Sequence, residues 1–503
     1  MKKVFIILFL FNILLYSQTL DESLFLAVED NNIEEVKSYL AKGANPNARN
    51  EYGLTSLMTA AVSGNYEMVK FLLENGADIN TKDNDGNTAL YYNICYDHYG
   101  EEEKLENAKK IFNLLIKYGA DVNTKDNDGA SLLNKSYRAS TALAQNREMF
   151  KVLVENGFDL ESRIKAGEHS PDDYDYTPLM IAALRNDYDM VKFLVEKGAD
   201  VNAKTHYSSE YSSVVTPLLL SLDDEHIESR YDENSSVAEY LINNGADINV
   251  TNEDGETPLM YASKLHNIKV VELLIQKGAN INAFDNYGNT ALIYGVNNLE
   301  TVKLLVENGA DVNFYKGGST ALISACEYSH ERNIDVIKYL VSKNANINAQ
   351  DNKGDTALNK TLDTSDEGSI DILDFEIANF LIEQGADVNI KNKREYTPLI
   401  YLGMGEGNFN NKSFQEYRIE LAEVLLEKGA DINAQDYNGY TSLIWACASS
   451  GSRFAEPFVK FLVEKGADVN IEDDHGDTAL DIAEDLKLRK IAGILKKAQR
   501  NRK

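Results

Sequence analysis

Apolar residues along this chain recur at helical spacing in short segments, and the polar stretches between them have almost one length. In EMVKFLLENG, residues 67–76, Val69, Leu72 and Leu73 fall on one face at i, i+3 and i+4, which predicts a helix ending at Gly76. Glycine there allows the left-handed conformation that closes a helix. The stop recurs within the pattern G-A-[DN]-[IV]-N, with variants, at Gly43, Gly76, Gly119, Gly157, Gly198, Gly245, Gly278, Gly309, Asn344, Gly385, Gly429 and Gly466. The one copy without glycine has asparagine, the other residue that tolerates positive φ, so backbone geometry dictates the position.

A second marker follows each stop. Thr55, Thr88, Thr177, Thr216, Thr257, Thr290, Thr320, Thr356, Thr397, Thr441 and Thr478, with Ser131 in one copy, each precede a leucine by two residues. Their hydroxyls predict helix N-caps. Pro178, Pro217, Pro258 and Pro398 stand directly after the cap, where a missing N–H costs nothing. From stop to cap the interval is 12 residues in nine of twelve copies, 11 in one, and 20 and 18 in the two that follow Gly157 and Gly198. From cap to the next stop it ranges from 19 to 32. The loop is therefore nearly fixed, and insertions fall between the two helices of a pair, near 95–107, 222–236 and 403–416.

The fixed loop contains aspartates, and NTKDNDG at 80–86 and again at 123–129 invites a calcium reading. With Gly86 placed as the glycine of an EF-hand loop, Thr81 takes the first ligand position and Tyr92 the last, where a bidentate Glu is required. Around Gly129 the same places hold Thr124 and Lys135. Asp and Asn are instead expected here because their side chains accept bonds from nearby backbone N–H groups. No metal or cofactor site is assigned. G-x-S-x-G, HExxH, Walker and kinase patterns are absent, and the seven histidines show no i, i+4 pair, so no catalytic residue is assigned and an enzyme is not expected. Cys95, Cys326 and Cys447 are too scattered for a disulfide framework and read as small buried residues.

Composition makes the repeat continuous. A chain of 503 residues exceeds one compact core, its 43% hydrophobic content suffices to bury one, and its 7 prolines mark no linker. A formal charge of −30 repels phosphate backbones and acidic lipid surfaces, so nucleic acid is not expected as a partner. The locally basic end, LKLRKIAGILKKAQRNRK, reads as the polar cap of the array, with 501–503 as a basic tail. Residues 1–18 differ in kind: Lys2 and Lys3 precede VFIILFLFNILLY and a polar exit, the order of a secretory signal peptide. The apolar run is too short to span a bilayer comfortably, so cleavage is expected and no membrane association after it, with an uncleaved anchor as the alternative.

Helix, turn, helix and a hairpin reading GADxNxxDxxGxTPL together resemble the ankyrin repeat, over residues 19–500 in about thirteen units. The resemblance implies an all-α repeat solenoid of helix-turn-helix units with β-hairpin loops, and a non-enzymatic scaffold whose partner is another protein. One departure stands out. The family's His after T-P-L is missing from every copy, replaced by Met58, Tyr91, Asn134, Met180, Leu219, Met260, Ile293, Ile323, Asn359, Ile400, Ile444 and Asp481. Apolar packing is expected to take the place of that histidine's hydrogen bonds in most units.

The resemblance places partner contacts at hairpin tips and first helices, on the concave side. The positions just before the capping Thr are rich in tyrosine, namely Tyr52, Tyr174, Tyr176, Tyr287, Tyr315, Tyr396, Tyr437 and Tyr440. Tyrosine offers a rigid apolar body with a polar end, which suits a contact surface. Two consecutive long hairpins, 162–176 and 203–215, are expected to project side by side and add His206, Tyr207 and Tyr211. The function expected is a monomeric protein-binding scaffold exported to the periplasm or outside the cell. The alternative is a secreted effector or toxin-associated protein acting on a host or competitor.

Overall fold

The computed structural model describes residues 19–95, 102–129, 131–132, 147–165, 175–205, 215–223, 236–327, 334–363, 372–405, 412–449 and 455–501. The signal segment 1–18 and Tyr174, His206, Tyr207 and Tyr211 lie outside them. The chain divides into two compact units, Met1–Asp247 and Ile248–Lys503.

Both units are built from helix pairs. In the second, the first helices are Pro258–Lys264, Ala291–Tyr294, Ala321–Glu327, Ala357–Leu362, Pro398–Met404, Ser442–Ala448 and Ala479–Asp485. The second helices are Ile268–Gln276, Leu299–Glu307, Ile334–Ser342, Ile372–Glu383, Lys412–Glu427, Glu456–Glu464 and Arg489–Asn501. First helices pack on first helices and second on second, so each pair buries its apolar face against its neighbours. In the first unit, Ser56–Val62 packs in the same way on Ala89–Cys95, and Tyr66–Glu74 on Glu102–Lys117. Two of the second helices that follow insertions are long: Glu102–Lys117 and Lys412–Glu427 have 16 residues where Tyr66–Glu74 has 9, whereas Ser236–Asn243 after the 222–236 insertion has 8.

The capping threonines act as their hydroxyls predict. Thr55 Oγ1 accepts the Met58 N–H at 3.3 Å, and Thr397 Oγ1 that of Ile400 at 3.3 Å. The position after T-P-L, expected to be apolar packing, is more varied. Leu219, Ile293, Ile323, Ile400 and Ile444 are buried apolar residues. The sulfurs of Met58, Met180 and Met260 accept the N–H of the capping Thr at 3.4, 3.5 and 3.3 Å. Asp481 does so with a carboxylate at 2.9 Å. A flexible thioether reaches back over the first turn where a β-branched side chain is too short.

The stops are left-handed, including Asn344 at φ +65°. The closing Asn of the motif joins successive units. Asn282 Nδ2 donates to Gly309 O at 3.1 Å while its Oδ1 accepts the Asp311 N–H at 2.8 Å. Asn313 repeats this on Asn344 O and the Asn346 N–H, at 3.0 and 2.7 Å. One carboxamide thus satisfies a helix-end carbonyl and a loop N–H of the next unit. Asn313→Leu should therefore lower stability by about 1–3 kcal/mol, two net hydrogen bonds' worth, read as a drop in urea midpoint.

Hairpin tips also bond to each other. The Asn127 N–H donates to Asp85 O at 3.0 Å, which brings Gly86 against the next tip. Gly86 has φ +90°, and a Cβ there would lie 2.7 Å from Asn127 N. At Gly76, φ +88°, a Cβ would meet nothing within 4 Å. Gly86→Ala should consequently cost clearly more than Gly76→Ala, which carries only the left-handed penalty of about 1–2 kcal/mol. Equal losses in thermal melts of the two variants would contradict this contact.

Arg418, 2% exposed, ends the helix Pro398–Met404. Its Nε donates to Leu402 O at 2.6 Å and its Nη2 to Gly403 O at 2.8 Å, and the guanidinium lies 4.0 Å from the Phe458 ring centroid. Burial pushes the guanidinium down to about 9, which leaves it charged at neutral pH. The cation thus meets orphan carbonyls at the negative end of a helix.

Candidate functional site

The first residue of the hairpin turn, five before the cap, is Asp or Asn in most described units. Asp83 Oδ1 accepts the N–H groups of Asp85 and Asn87 at 2.9 and 2.8 Å, and its Oδ2 takes the Tyr92 hydroxyl at 2.5 Å. The carboxylate that suggested calcium is filled by hydrogen-bond donors and shapes the turn.

The second contact recurs. The residue four after the cap meets the turn Asx nine positions back: Tyr294 donates to Asp285 at 2.8 Å, Trp445 Nε1 to Asp436 at 2.7 Å, and Lys360 Nζ approaches Asp351 at 3.3 Å. Where the turn residue is Asn, the carboxamide donates instead, from Asn252 to Tyr261 at 3.1 Å and from Asn392 to Tyr401 at 3.0 Å. These pairs link units. The single Tyr294 hydroxyl proton is shared with Glu256, whose oxygen lies 2.7 Å away, Tyr401 and Asn392 both donate to Asp355, at 2.9 and 2.7 Å, and Lys360 reaches Glu327 at 3.0 Å.

Burial first, then bonds to Glu256 and Asp285, holds the Tyr294 phenol well above its usual value. Burial first, then the Asp355 charge, does the same to Tyr401. A phenol that keeps its proton more tightly when folded loses stabilisation once the unfolded phenol ionises. Melting temperature should therefore fall above about pH 10. Tyr401→Phe should blunt that alkaline fall.

On this face the structure gathers three predicted residues. Tyr396 lies with ring centroids 6.4 Å from Tyr437 and 6.3 Å from Trp445, and Trp445 lies 5.1 Å from Tyr440. Tyr437 is 55% exposed, and Tyr440 and Trp445 are partly so. Tyr396 corrects the expectation of an exposed tip residue: it is only 7% exposed. Directly before the cap, its carbonyl closes the turn with the Asn392 N–H, and its ring packs inward on Tyr401 at 5.6 Å. True tip positions are open, with Tyr52 and Tyr287 each 66% exposed and Tyr315 49%. Trp445, the chain's single tryptophan, joins the Tyr396 cluster from the first helix Ser442–Ala448, outside the tip positions that the tyrosines mark. The D-x8-[YWK] spacing carried its signal.

In the first unit, the long hairpins are neighbours at their bases. Ile164–Lys165 pairs antiparallel with Asp175–Tyr176, the Thr205 N–H donates to Val215 O at 3.1 Å, and Arg163 Nη1 reaches Lys204 O at 2.9 Å. Tyr176 is half-buried at the root of its hairpin.

Paired helices joined by hydrogen-bonded hairpins, with an inner polar ladder, define a helical repeat solenoid built to present a surface. The chain belongs to the ankyrin repeat family: the model described as ankyrin repeats (3 copies) matches residues 24–126, 104–205, 226–316, 315–392, 370–473 and 409–502. It is similar to ankyrin repeat protein OPG189 of Monkeypox virus, 31% identical over 131 residues, covering 23% of this chain and 22% of that protein. It is also similar to ankyrin repeat and SOCS box protein 6 of Mus musculus, 37% identical over 89 residues, covering 17% and 18%. The chain thus spans less than a quarter of these relatives' lengths. Among solved structures, the ankyrin repeat domain of Bcl-3 is 29% identical and covers 48% of this chain and 99% of that one, with a TM-score of 0.38. Members of this family bind protein partners, and no described helix is long and apolar enough to cross a membrane.

Proposed function

We propose that the chain is an exported, non-enzymatic scaffold that holds another protein against the hairpin face of the unit Ile248–Lys503. The observation that carries this is the convergence of Tyr437, Tyr440 and Trp445, partly exposed, on a buried Tyr396. Rigid aromatic side chains held by packing and by a satisfied Asp436 cost little ordering entropy on binding, as interface anchors require. The two long hairpins of the first unit form a second contact. Export rests on the basic, apolar and polar order of residues 1–18, and the partner meets the mature chain in the periplasm or outside the cell.

Partners cross-linked to the mature chain and identified by mass spectrometry test the scaffold. The pair Tyr437→Ala and Tyr440→Ala should weaken the captured partner about tenfold to a hundredfold with an unchanged melt. Unchanged affinity would move the site elsewhere. N-terminal sequencing of the chain from envelope and medium fractions tests export, which fails if Met1 is retained on cytoplasmic protein.

A further inference from the structure

Most tips in this chain are acidic or neutral. The three residues from four to two before the cap read EYG, NDG, NDG, DYD, SSV, EDG and NYG up to residue 288, and YNG and DHG at 437–439 and 474–476. Three consecutive hairpins between them differ, reading KGG at 316–318, NKG at 352–354 and KRE at 393–395. In a chain of charge −30, this places exposed cations in a row: Lys316, Lys353, Lys393 and Arg394.

The row is held rigidly. The Asn352 N–H donates to Gly318 O at 3.0 Å, that of Lys393 to Lys353 O at 2.9 Å, and that of Tyr437 to Arg394 O at 3.2 Å. The last bond joins the cations to the aromatic cluster. Arg394 hydrogen-bonds the Tyr396 side chain, and the lysine charges are largely unspent. Among the described residues, Lys353 and Lys393 have no carboxylate within ion-pair distance, and Lys316 lies 5.4 Å over the Phe284 ring. One neutral tip flanks the row on each side, at 286–288 and 437–439, and acidic tips lie beyond these, Glu253 and Asp254 before it and Asp474 after it. A ligand that slid along the ladder would meet like charge at either end.

We propose that this ridge seats an extended acidic segment of the partner protein, with carboxylates on Lys353, Lys393 and Arg394 and an apolar side chain on Tyr437 and Trp445. This rests on the scaffold reading above and gives its partner a chemistry. A protein segment with a few carboxylates fits better than nucleic acid, whose dense charge is repelled by the rest of a strongly acidic molecule.

Three labelled probes test this on the full mature chain: a peptide of glutamates and alanines ending in phenylalanine, its lysine counterpart, and oligouridylate. The glutamate peptide should bind, weaken steeply with added salt, and change the emission of Trp445, while the lysine peptide does not bind. Lys353→Glu with Lys393→Glu should weaken it about tenfold or more and flatten the salt dependence, with the melting curve unchanged. No binding of the glutamate peptide, equal binding by the charge-reversed variant, or tighter binding of oligouridylate would overturn the proposal. The captured protein partner separates the two readings. If Tyr437→Ala with Tyr440→Ala releases it and charge reversal does not, the scaffold stands and the acidic segment falls. If neither releases it, both fall.

Discussion

Arg418→Ala should lower the stability of the unit Ile248–Lys503 by about 3–5 kcal/mol, a large share of what a domain usually holds. The substitution removes one of the largest fully buried side chains and leaves a space against Phe458. It also strips donors from the carbonyls of Leu402 and Gly403, which sit at a buried helix end. Arg418→Met separates the two effects. It fills most of the volume and leaves the carbonyls bare, so it should cost about 1–3 kcal/mol. Because each repeat contacts only its neighbours, damage at this joint should also uncouple the repeats on its two sides. Urea unfolding followed by Trp445 emission, on the adjacent helix Ser442–Ala448, should then separate from unfolding followed by circular dichroism. Coincident transitions with the wild-type midpoint would show that the guanidinium contributes nothing.

The architecture was legible because it is written in local chemistry repeated many times. Stop, turn and cap each depend on one backbone conformation or one hydroxyl, and Asn344 in a glycine position settles to φ +65° as expected. The motif's final Asn was visible in eleven of the twelve copies, with Glu161 in the other, but had no role, because its partners, such as Gly309 O for Asn282, lie in the following unit. The same holds for the site. Tyr437 could be placed at a tip from spacing to the cap, whereas Tyr396, three residues on in its own turn, points inward to a cluster formed by residues up to 49 positions apart. Arg418 was invisible: it lies just past the insertion near 403–416, on the second helix Lys412–Glu427, and nothing local marks a guanidinium as the cap of another helix.

Lys360→Met is expected to cost about 3–5 kcal/mol at neutral pH, and the loss should shrink in acid. Lys360 replaces the Tyr or Trp that other units place against the turn Asx, and its ammonium is buried between Asp351 at 3.3 Å and Glu327 at 3.0 Å. Burial alone pulls its pKa down, but the bond to Glu327 and the charges of Glu327, Asp351 and Asp355 outweigh this and hold it above its usual value. Removing the cation leaves Asp351 and Asp355 as buried neighbours of like charge. Asp355 is already raised, by burial first, and would rise further without Lys360. A carboxyl whose folded pKa lies above its unfolded value destabilises the fold when ionised. The penalty is complete above the folded pKa and vanishes as pH falls below the unfolded value of about 3.9. The melting difference between wild type and Lys360→Met should therefore narrow from pH 7 toward pH 4. Adding Asp351→Asn should recover much of the loss at neutral pH. The next unit shows why: Asn392 Oδ1 accepts the Arg394 and Tyr396 N–H groups at 2.9 and 3.0 Å, so an asparagine closes this turn as well as an aspartate. A double variant no more stable than the single one at pH 7 would mean that Lys360 acts through packing, not through the charge it neutralises.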